Sequence, residues 1–358
     1  MYQILPDILI EDNSPMNNKV IKIDEVTIIG YGRFGKTLHR MLKDKFNVRI
    51  FDKSKDVVRD SNLVAPAQVV ASIKEIYQGR GSGQNRETGK FHAVFMAVPI
   101  EKFAQVINEH SQYFRSEDII IDVLSVKQYP EKVLSKALKR TDVQAILTHP
   151  MFGPDSSKNG FEALPIVVDR FRAEQEVYTF WIEFFKSIGL KVVELSPSEH
   201  DKMAANSQGV THFLGRLLDD FGLAPTPIDT LGARKLQEVM DQTCNDTWQL
   251  FRNLQNYNSY TKRMRIRLGN SYDKLYNQLL PKRVNPDSVV YGIQGGIGSF
   301  NEQALKFYTK TYKDSLTSYK TKYLYTTDNV LKALHRGEID CGQFAVQNSV
   351  GGMVEESI

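Results

Sequence analysis

The chain has 358 residues, with 46 lysines and arginines against 42 aspartates and glutamates, a formal net charge of +4, and 41% hydrophobic residues. That length exceeds one small core and calls for two or three domains, and charges mixed along the chain exclude the basic runs of a nucleic-acid surface. A small anionic substrate suits this balance, and no apolar run approaches the ~20 residues that span a bilayer.

Two cysteines, Cys244 and Cys341, stand far apart without any CxxC, so neither a disulfide framework nor a metal site is expected and reduced cytoplasm is the default. Residues 1–24 mix Pro6, Asn13, Pro15, Asn17 and Asn18 with short apolar pieces and read as a poorly ordered extension. They lack a charged start followed by an apolar signal core.

From Val26 the pattern sharpens. Val26-Thr27-Ile28-Ile29 reads as a buried strand, Gly30-Tyr31-Gly32-Arg33-Phe34-Gly35 as a tight turn, and Phe34, Leu38, Met41 and Leu42 recur at helical spacing. A second strand, Val48 to Phe51, ends in Asp52. This is the GxGxxG dinucleotide fingerprint in its required context, and the class it implies is α/β, a Rossmann-type doubly wound sheet. Gly30 makes the turn, Gly32 admits a pyrophosphate, and Gly35 lets helix and strand pack closely. Asp52 is placed to accept hydrogen bonds from ribose hydroxyls, which favours NAD. Arg33, Lys53 and Lys55 lie near enough in sequence to meet a phosphate, which keeps NADP open.

Ser72 to Lys90, with Gly79-Arg80-Gly81-Ser82-Gly83, reads as an irregular excursion from the sheet. Strands resume at Ala93 to Val98, ending at Pro99, and at Ile119 to Val123, followed by Leu124-Ser125-Val126-Lys127. Another apolar run, Val143 to Leu147, precedes Thr148-His149-Pro150-Met151-Phe152-Gly153-Pro154, where prolines hold His149 extended just past the strand. Ligands of doubly wound sheets sit beyond the carboxyl ends of strands. Val98, Pro99, Ser125, Lys127 and His149 therefore belong on one rim with the cofactor, although Ser125 could equally cap a helix and Lys127 face solvent.

Ile166 to Val168 and Lys191 to Leu195 read as final strands around a helix whose Tyr178, Phe180, Trp181, Phe184 and Phe185 are core. Ser196-Pro197-Ser198-Glu199 is a capping box, and long helices follow to about Leu280. Gln208, His212 and Arg216 recur every four residues, a polar stripe suited equally to water or to a cleft holding an anion. The expected domains are 25–195 for the dinucleotide, 196–285 helical, and 286–358 as a small α/β segment after the linker Pro281 to Pro286.

The combination resembles the prephenate and arogenate dehydrogenase family. The resemblance rests on Thr148 to Pro154, Glu199-His200-Asp201 and Ser207-Gln208-Gly209-Val210-Thr211-His212. Phe152 to Gly160 and Asp246-Thr247-Trp248-Gln249-Leu250-Phe251 look most like the plant-type arogenate enzymes. It implies oxidative decarboxylation in tyrosine biosynthesis, with His149 as proton acceptor, Ser125 holding the substrate hydroxyl or orienting the imidazole, and His212 and Gln208 as substrate contacts. A homodimer paired through the helices after Ser196 is implied as well. Where many bacterial relatives carry a carboxylate-holding arginine, this chain reads Met240-Asp241-Gln242, which leaves Arg216, Arg234 and Lys235 as candidates for that contact. The third segment resembles the first part of a prephenate dehydratase domain through Gly298 to Ala304, Gly337-Glu338-Ile339-Asp340 and Asn348-Ser349, with Gln347 in place of the usual glutamate. Two other readings are a different two-domain hydroxy-acid dehydrogenase, whose base would be a helix lysine, and a non-catalytic protein that senses a cofactor or amino acid.

Overall fold

The computed structural model describes residues 21–54, 69–77, 90–279, 288–312, 318–349 and 351–357. Residues 1–20 of the expected amino-terminal extension, most of the glycine-rich excursion and the Pro281 to Pro286 linker lie outside the described residues, while residues 22–24, expected in the extension, instead open the first strand. The chain divides into two compact units, Met1–Arg265 and Ile266–Ile358. The dinucleotide and helical parts fall within one unit, and the division comes before 286, inside the last long helix.

The first unit opens with β1 (Lys22–Ile29), α1 (Arg33–Leu42), β2 (Asn47–Phe51), α2 (Ile73–Tyr77) and β3 (Lys90–Met96). It continues through α3 (Phe103–Ser111), β4 (Asp118–Asp122), α4 (Gln128–Ala137), β5 (Gln144–Pro150), β6 (Pro165–Asp169), α5 (Gln175–Ser187) and β7 (Lys191–Glu194). The strands form one seven-stranded sheet in the order β2-β1-β3-β4-β5-β6-β7. Reversal of direction about β1 is the doubly wound arrangement, and it opens a crevice at the strands' carboxyl ends.

Strand residues alternate between two cores. Val26, Ile28, Phe95 and Ile121 pack with Trp181 and Phe185 on one face, while Ile29, Val94, Met96 and Ile120 pack with Phe103 and Leu134 on the other. Both faces are covered, which is why these strands read as continuous apolar runs.

The structure adds one detail to the sequence reading and changes another. β6 runs antiparallel to β5, and His149 lies inside β5, opposite Val167, rather than just past the strand. An antiparallel neighbour extends the ladder through the proline, because the N–H that Pro150 lacks is not required at a position where Met151 N–H donates to the Pro165 carbonyl.

Helices α6 (Pro197–Asn206), α7 (Gln208–Phe221), α8 (Leu231–Cys244) and α9 (Trp248–Tyr257) complete the unit, and α10 (Thr261–Leu279) begins in it. The capping box forms as expected at Ser196 and Glu199. Ser207 breaks the helical run between α6 and α7. α7 packs tightly on α8 at Gly215, where a Cβ would stand 1.9 Å from Thr243 Oγ1.

The second unit holds β8 (Ser288–Ile293), α11 (Phe300–Tyr312), β9 (Ser318–Tyr323), α12 (Thr327–His335) and β10 (Cys341–Gln343), with a small pair β11 (Gln347–Asn348) and β12 (Gly352–Met353). Its three parallel strands, in the order β10-β8-β9, cover a modest core of Val330, Ala333 and Ile339. Among the described residues no helix is long and apolar enough to cross a membrane, and no cluster of three or more His, Cys, Asp or Glu side chains could hold a metal.

Candidate active site

The glycine turn follows β1. Gly30 has a φ of 92°, and a Cβ there would meet the Ala97 carbonyl oxygen at 2.4 Å. A Cβ on Gly35 would meet the Gly30 carbonyl oxygen at 2.1 Å, so both positions require glycine for packing. Gly32 is different: nothing lies within 4 Å of where its Cβ would be, and it caps the amino end of α1. Open space before a helix amino terminus is the cradle a pyrophosphate needs. Asp52 follows β2 beside this turn, its carboxylate accepting the Tyr31 N–H at 2.7 Å and the Ser54 N–H at 2.8 Å. Val98 is half-buried and Pro99 exposed just past β3.

The basic residues near the fingerprint are already engaged. Arg33 pairs with Asp155 at 2.9 Å and Asp246 at 3.4 Å and donates to the Asn245 carbonyl, while Lys53 pairs with Glu109 at 2.8 Å. Lys55 lies outside the described residues. The Phe34 ring sits 6.5 Å from that of Phe152 and ties α1 to the segment after His149.

His149 is 2% exposed, and its Nδ1 lies 2.7 Å from Nε2 of His200. His200 Nδ1 is in turn 2.8 Å from Asp201 Oδ1. The Asp201 carboxylate also accepts the backbone N–H groups of Lys127 at 2.7 Å and Gln128 at 3.0 Å, at the start of α4, and Asn258 donates to the Asp201 carbonyl. Burial, reinforced by His200, Lys127 and His212, holds the His149 imidazole well below the usual histidine range and therefore neutral. His200 is lowered mainly by burial, against the pull of Asp201.

Lys127 departs from the expected rim contact. Its side chain is 1% exposed, with Nζ 2.5 Å from Asp122 Oδ1 and donating also to the Thr148 carbonyl. Burial drives Lys127 down and Asp122 up, each towards its neutral form, and their mutual attraction opposes both shifts. Lys127 is thus an interior strut between β4 and β5, since a buried ammonium needs the carboxylate more than a ligand does. Ser125, half-buried in the bend between β4 and α4, stays on the rim.

The helical wall places Gln208 at the first position of α7 with His212 and Arg216 on successive turns. His212 is lowered by burial, with Asp246 opposing and Arg216 assisting, and its Nδ1 is buried without a hydrogen-bond partner. Arg216 donates to the Asp246 carbonyl at 2.5 Å and the Cys244 carbonyl at 3.5 Å, and its guanidinium lies over Trp248 at 5.2 Å. Much of its donor capacity serves the end of α8, although its Nε is also unpartnered. Arg234 is exposed in the first turn of α8, roughly 15 Å along the helix from Cys244, and is not brought to this wall. Lys235, beside it, pairs with Glu238.

The residue whose role the sequence left least legible is His200. Its motif was visible, but its contact with His149 spans 51 positions and depends on where α6 docks.

The fold and the glycine cradle define a dinucleotide-binding protein with a buried histidine at the strand ends. Residues 68–194 match the family profile described as prephenate dehydrogenase, nucleotide-binding domain, and residues 217–288 match one described as TYRAAT1-like, C-terminal domain. Arogenate dehydrogenase 2, chloroplastic, of Arabidopsis thaliana is 35% identical over 173 residues, covering 47% of this chain and 48% of that protein. Arogenate dehydrogenase 1, chloroplastic, of the same plant is 28% identical over 262 residues, covering 71% of this chain and 39% of that protein. The chain thus spans about half or less of the length of these relatives. In fold it is similar to a prephenate dehydrogenase from A. aeolicus solved with hydroxyphenyl propionate and NAD+, at a TM-score of 0.57 and 16% identity over 73% of this chain and 92% of that one. Over these stretches the chain is similar to arogenate and prephenate dehydrogenases.

Proposed function

We propose that the chain catalyses the NAD-dependent oxidative decarboxylation of arogenate or prephenate, with His149 as the proton acceptor. The observation that carries the reading is a buried, neutral imidazole on the same sheet rim as the open Gly32 cradle. When bound, the dinucleotide supplies the hydride acceptor. Gly32 would seat its pyrophosphate at the amino end of α1, with Gly30 and Gly35 shaping the turn, Val98 and Pro99 would border it, and Asp52 would receive the ribose. Because Arg33 and Lys53 already face carboxylates, they have little to offer a 2′-phosphate, which supports NAD over NADP.

Ser125 orients the substrate hydroxyl, and neutral His149 takes its proton as the carbonyl develops, a role that typically contributes ~10²- to 10⁴-fold. The ring carboxylate leaves as carbon dioxide and aromatisation drives the step. His212 and Gln208 contact the substrate from α7, and Arg216 adds positive charge beside them. The plant-type text around Phe152 and Asp246 favours arogenate.

The same proposal includes a homodimer paired through α7 and α8, supported by Phe221 at the end of α7, Ile228 in the connection and Leu231 at the start of α8, which stand 78%, 88% and 66% exposed. It also includes a reducing cytoplasmic setting, in keeping with two cysteines, Cys244 and Cys341, that stand far apart in sequence without any CxxC. For the second unit, the dehydratase-like text supports a dehydratase-related fold, part of a bifunctional protein or a remnant with a structural task, in which Gln347 replaces the usual glutamate.

The test mixes arogenate or prephenate with NAD or NADP and follows absorbance of the reduced nicotinamide. Turnover is expected with NAD and at least one acid, arogenate being the faster. Silence in all four mixtures removes the reading.

A further inference from the structure

A neutral imidazole is a base at one nitrogen only. His149 can accept a proton from substrate through Nε2 only if its own hydrogen sits on Nδ1, and burial of the ring makes it a weak base by itself. Both problems are met by the groups behind it. A carboxylate accepts and does not donate, so the hydrogen shared by Asp201 Oδ1 and His200 Nδ1 belongs to His200. Nε2 of neutral His200 is then an acceptor, and the hydrogen in the 2.7 Å contact between the rings belongs to His149 Nδ1. Asp201 cannot turn away from this duty, because both of its oxygens are held by backbone N–H groups at the start of α4.

We propose that His200, anchored by Asp201, is a positioning residue that fixes His149 with its hydrogen on Nδ1 and takes that hydrogen over when Nε2 accepts the substrate's proton. The inference rests on His149 being the proton acceptor described above. The hand-off balances: the substrate O–H bond breaks as an N–H forms at His149 Nε2, and the His149 Nδ1–H breaks as an N–H forms at His200 Nε2. The positive charge comes to rest on His200 beside the Asp201 carboxylate, with no change in electron count. The other charged or titratable groups facing the pair are the Lys127 ammonium, with its partner Asp122, and His212.

The experiment has two arms. In the full chain with ¹⁵N-labelled histidine, free of substrate and dinucleotide, the ring nitrogens are read by NMR near neutral pH, with His149→Asn identifying the His149 signals. The expected result is a protonated Nδ1 and a bare Nε2 on His149; a protonated Nε2 overturns the proposal. In the second arm, His200→Leu loses ~10²-fold or more in kcat, the lower range for a base held in the wrong protonation state, while substrate KM and dinucleotide Kd stay within about twofold. His200→Gln, whose amide oxygen can accept from His149 Nδ1 but cannot take the proton, recovers about tenfold of that loss. Gln as slow as Leu overturns the tautomer role, and Gln as fast as wild type overturns the hand-off. If the wild type turns over neither acid, the functional reading fails, and the NMR arm still decides by itself whether His200 fixes the ring.

Discussion

The two histidines assigned to the chemistry sit on opposite kinds of support. His149 lies in the sheet, paired to Val167 along the backbone and to His200 through its ring, so the strand ladder and a hydrogen-bonded chain ending at Asp201 both fix it. His212 lies on α7, less deeply buried, yet its Nδ1 has no hydrogen-bond partner and its neighbour Arg216 keeps an unpartnered Nε. Buried polar atoms without partners are costly, and proteins retain them where something else uses them. Under the proposed function, proton transfer falls to the preorganised sheet wall and substrate contact to the helical wall.

Substitutions can break that contrast. The largest effect is expected for His149→Asn, which should lower kcat by at least ~10²-fold with dinucleotide binding intact. A loss of only a few-fold would remove His149 from the base role. Next comes His212→Asn. It should raise substrate KM by about tenfold, the worth of one buried polar contact, and change kcat less; a kcat defect with unchanged KM would reverse the two walls.

A smaller shift is expected at the cofactor. Asp52→Asn should move the NAD to NADP preference towards NADP by on the order of tenfold, measured as the ratio of kcat/KM values, and an unchanged ratio would take Asp52 off the ribose.

Acid stability gives the mildest effect near neutral pH. His39, His110, His149, His200 and His212 all have lowered pKa values in the fold, His110 to about 4 through burial. Unfolded histidines titrate near ~6.5, so below that pH the unfolded state binds more protons. Stability contributed by these neutral rings is therefore complete above pH ~6.5 and is lost as the pH falls towards about 4, with up to roughly 3 kcal/mol from His110 alone. Thermal melts across that window should show Tm falling with pH; a flat Tm would contradict the assignment. For the same reason the acid limb of kcat should lie well below pH 6.5 rather than at the ordinary histidine value.

Much of the cofactor half was legible because its signals are local. Gly30, Gly35 and Asp52 act within one strand, turn, helix and strand, and steric demands on the two glycines leave no other residue type. The capping box at Ser196 was equally readable, since its hydrogen bonds join neighbours. What escaped is long-range. Nothing local to Lys127 says that its ammonium turns inward to Asp122 and Thr148, and the antiparallel turn of β6, which carries the sheet past His149, follows from pairing rather than pattern. Arg33 likewise looked like a phosphate ligand until Asp155 and Asp246 came to lie beside it. The His149 and His200 pairing needed α6 docked against the sheet.

The central claim joins hydride transfer to loss of a ring carboxylate at one histidine. Its most direct measurement is a single-turnover reaction of the full chain with arogenate and NAD in which carbon dioxide and reduced nicotinamide are both counted. The account predicts equal amounts, released together, with both suppressed in His149→Asn. Reduced nicotinamide without carbon dioxide would instead mark a simple hydroxy-acid dehydrogenase and contradict it.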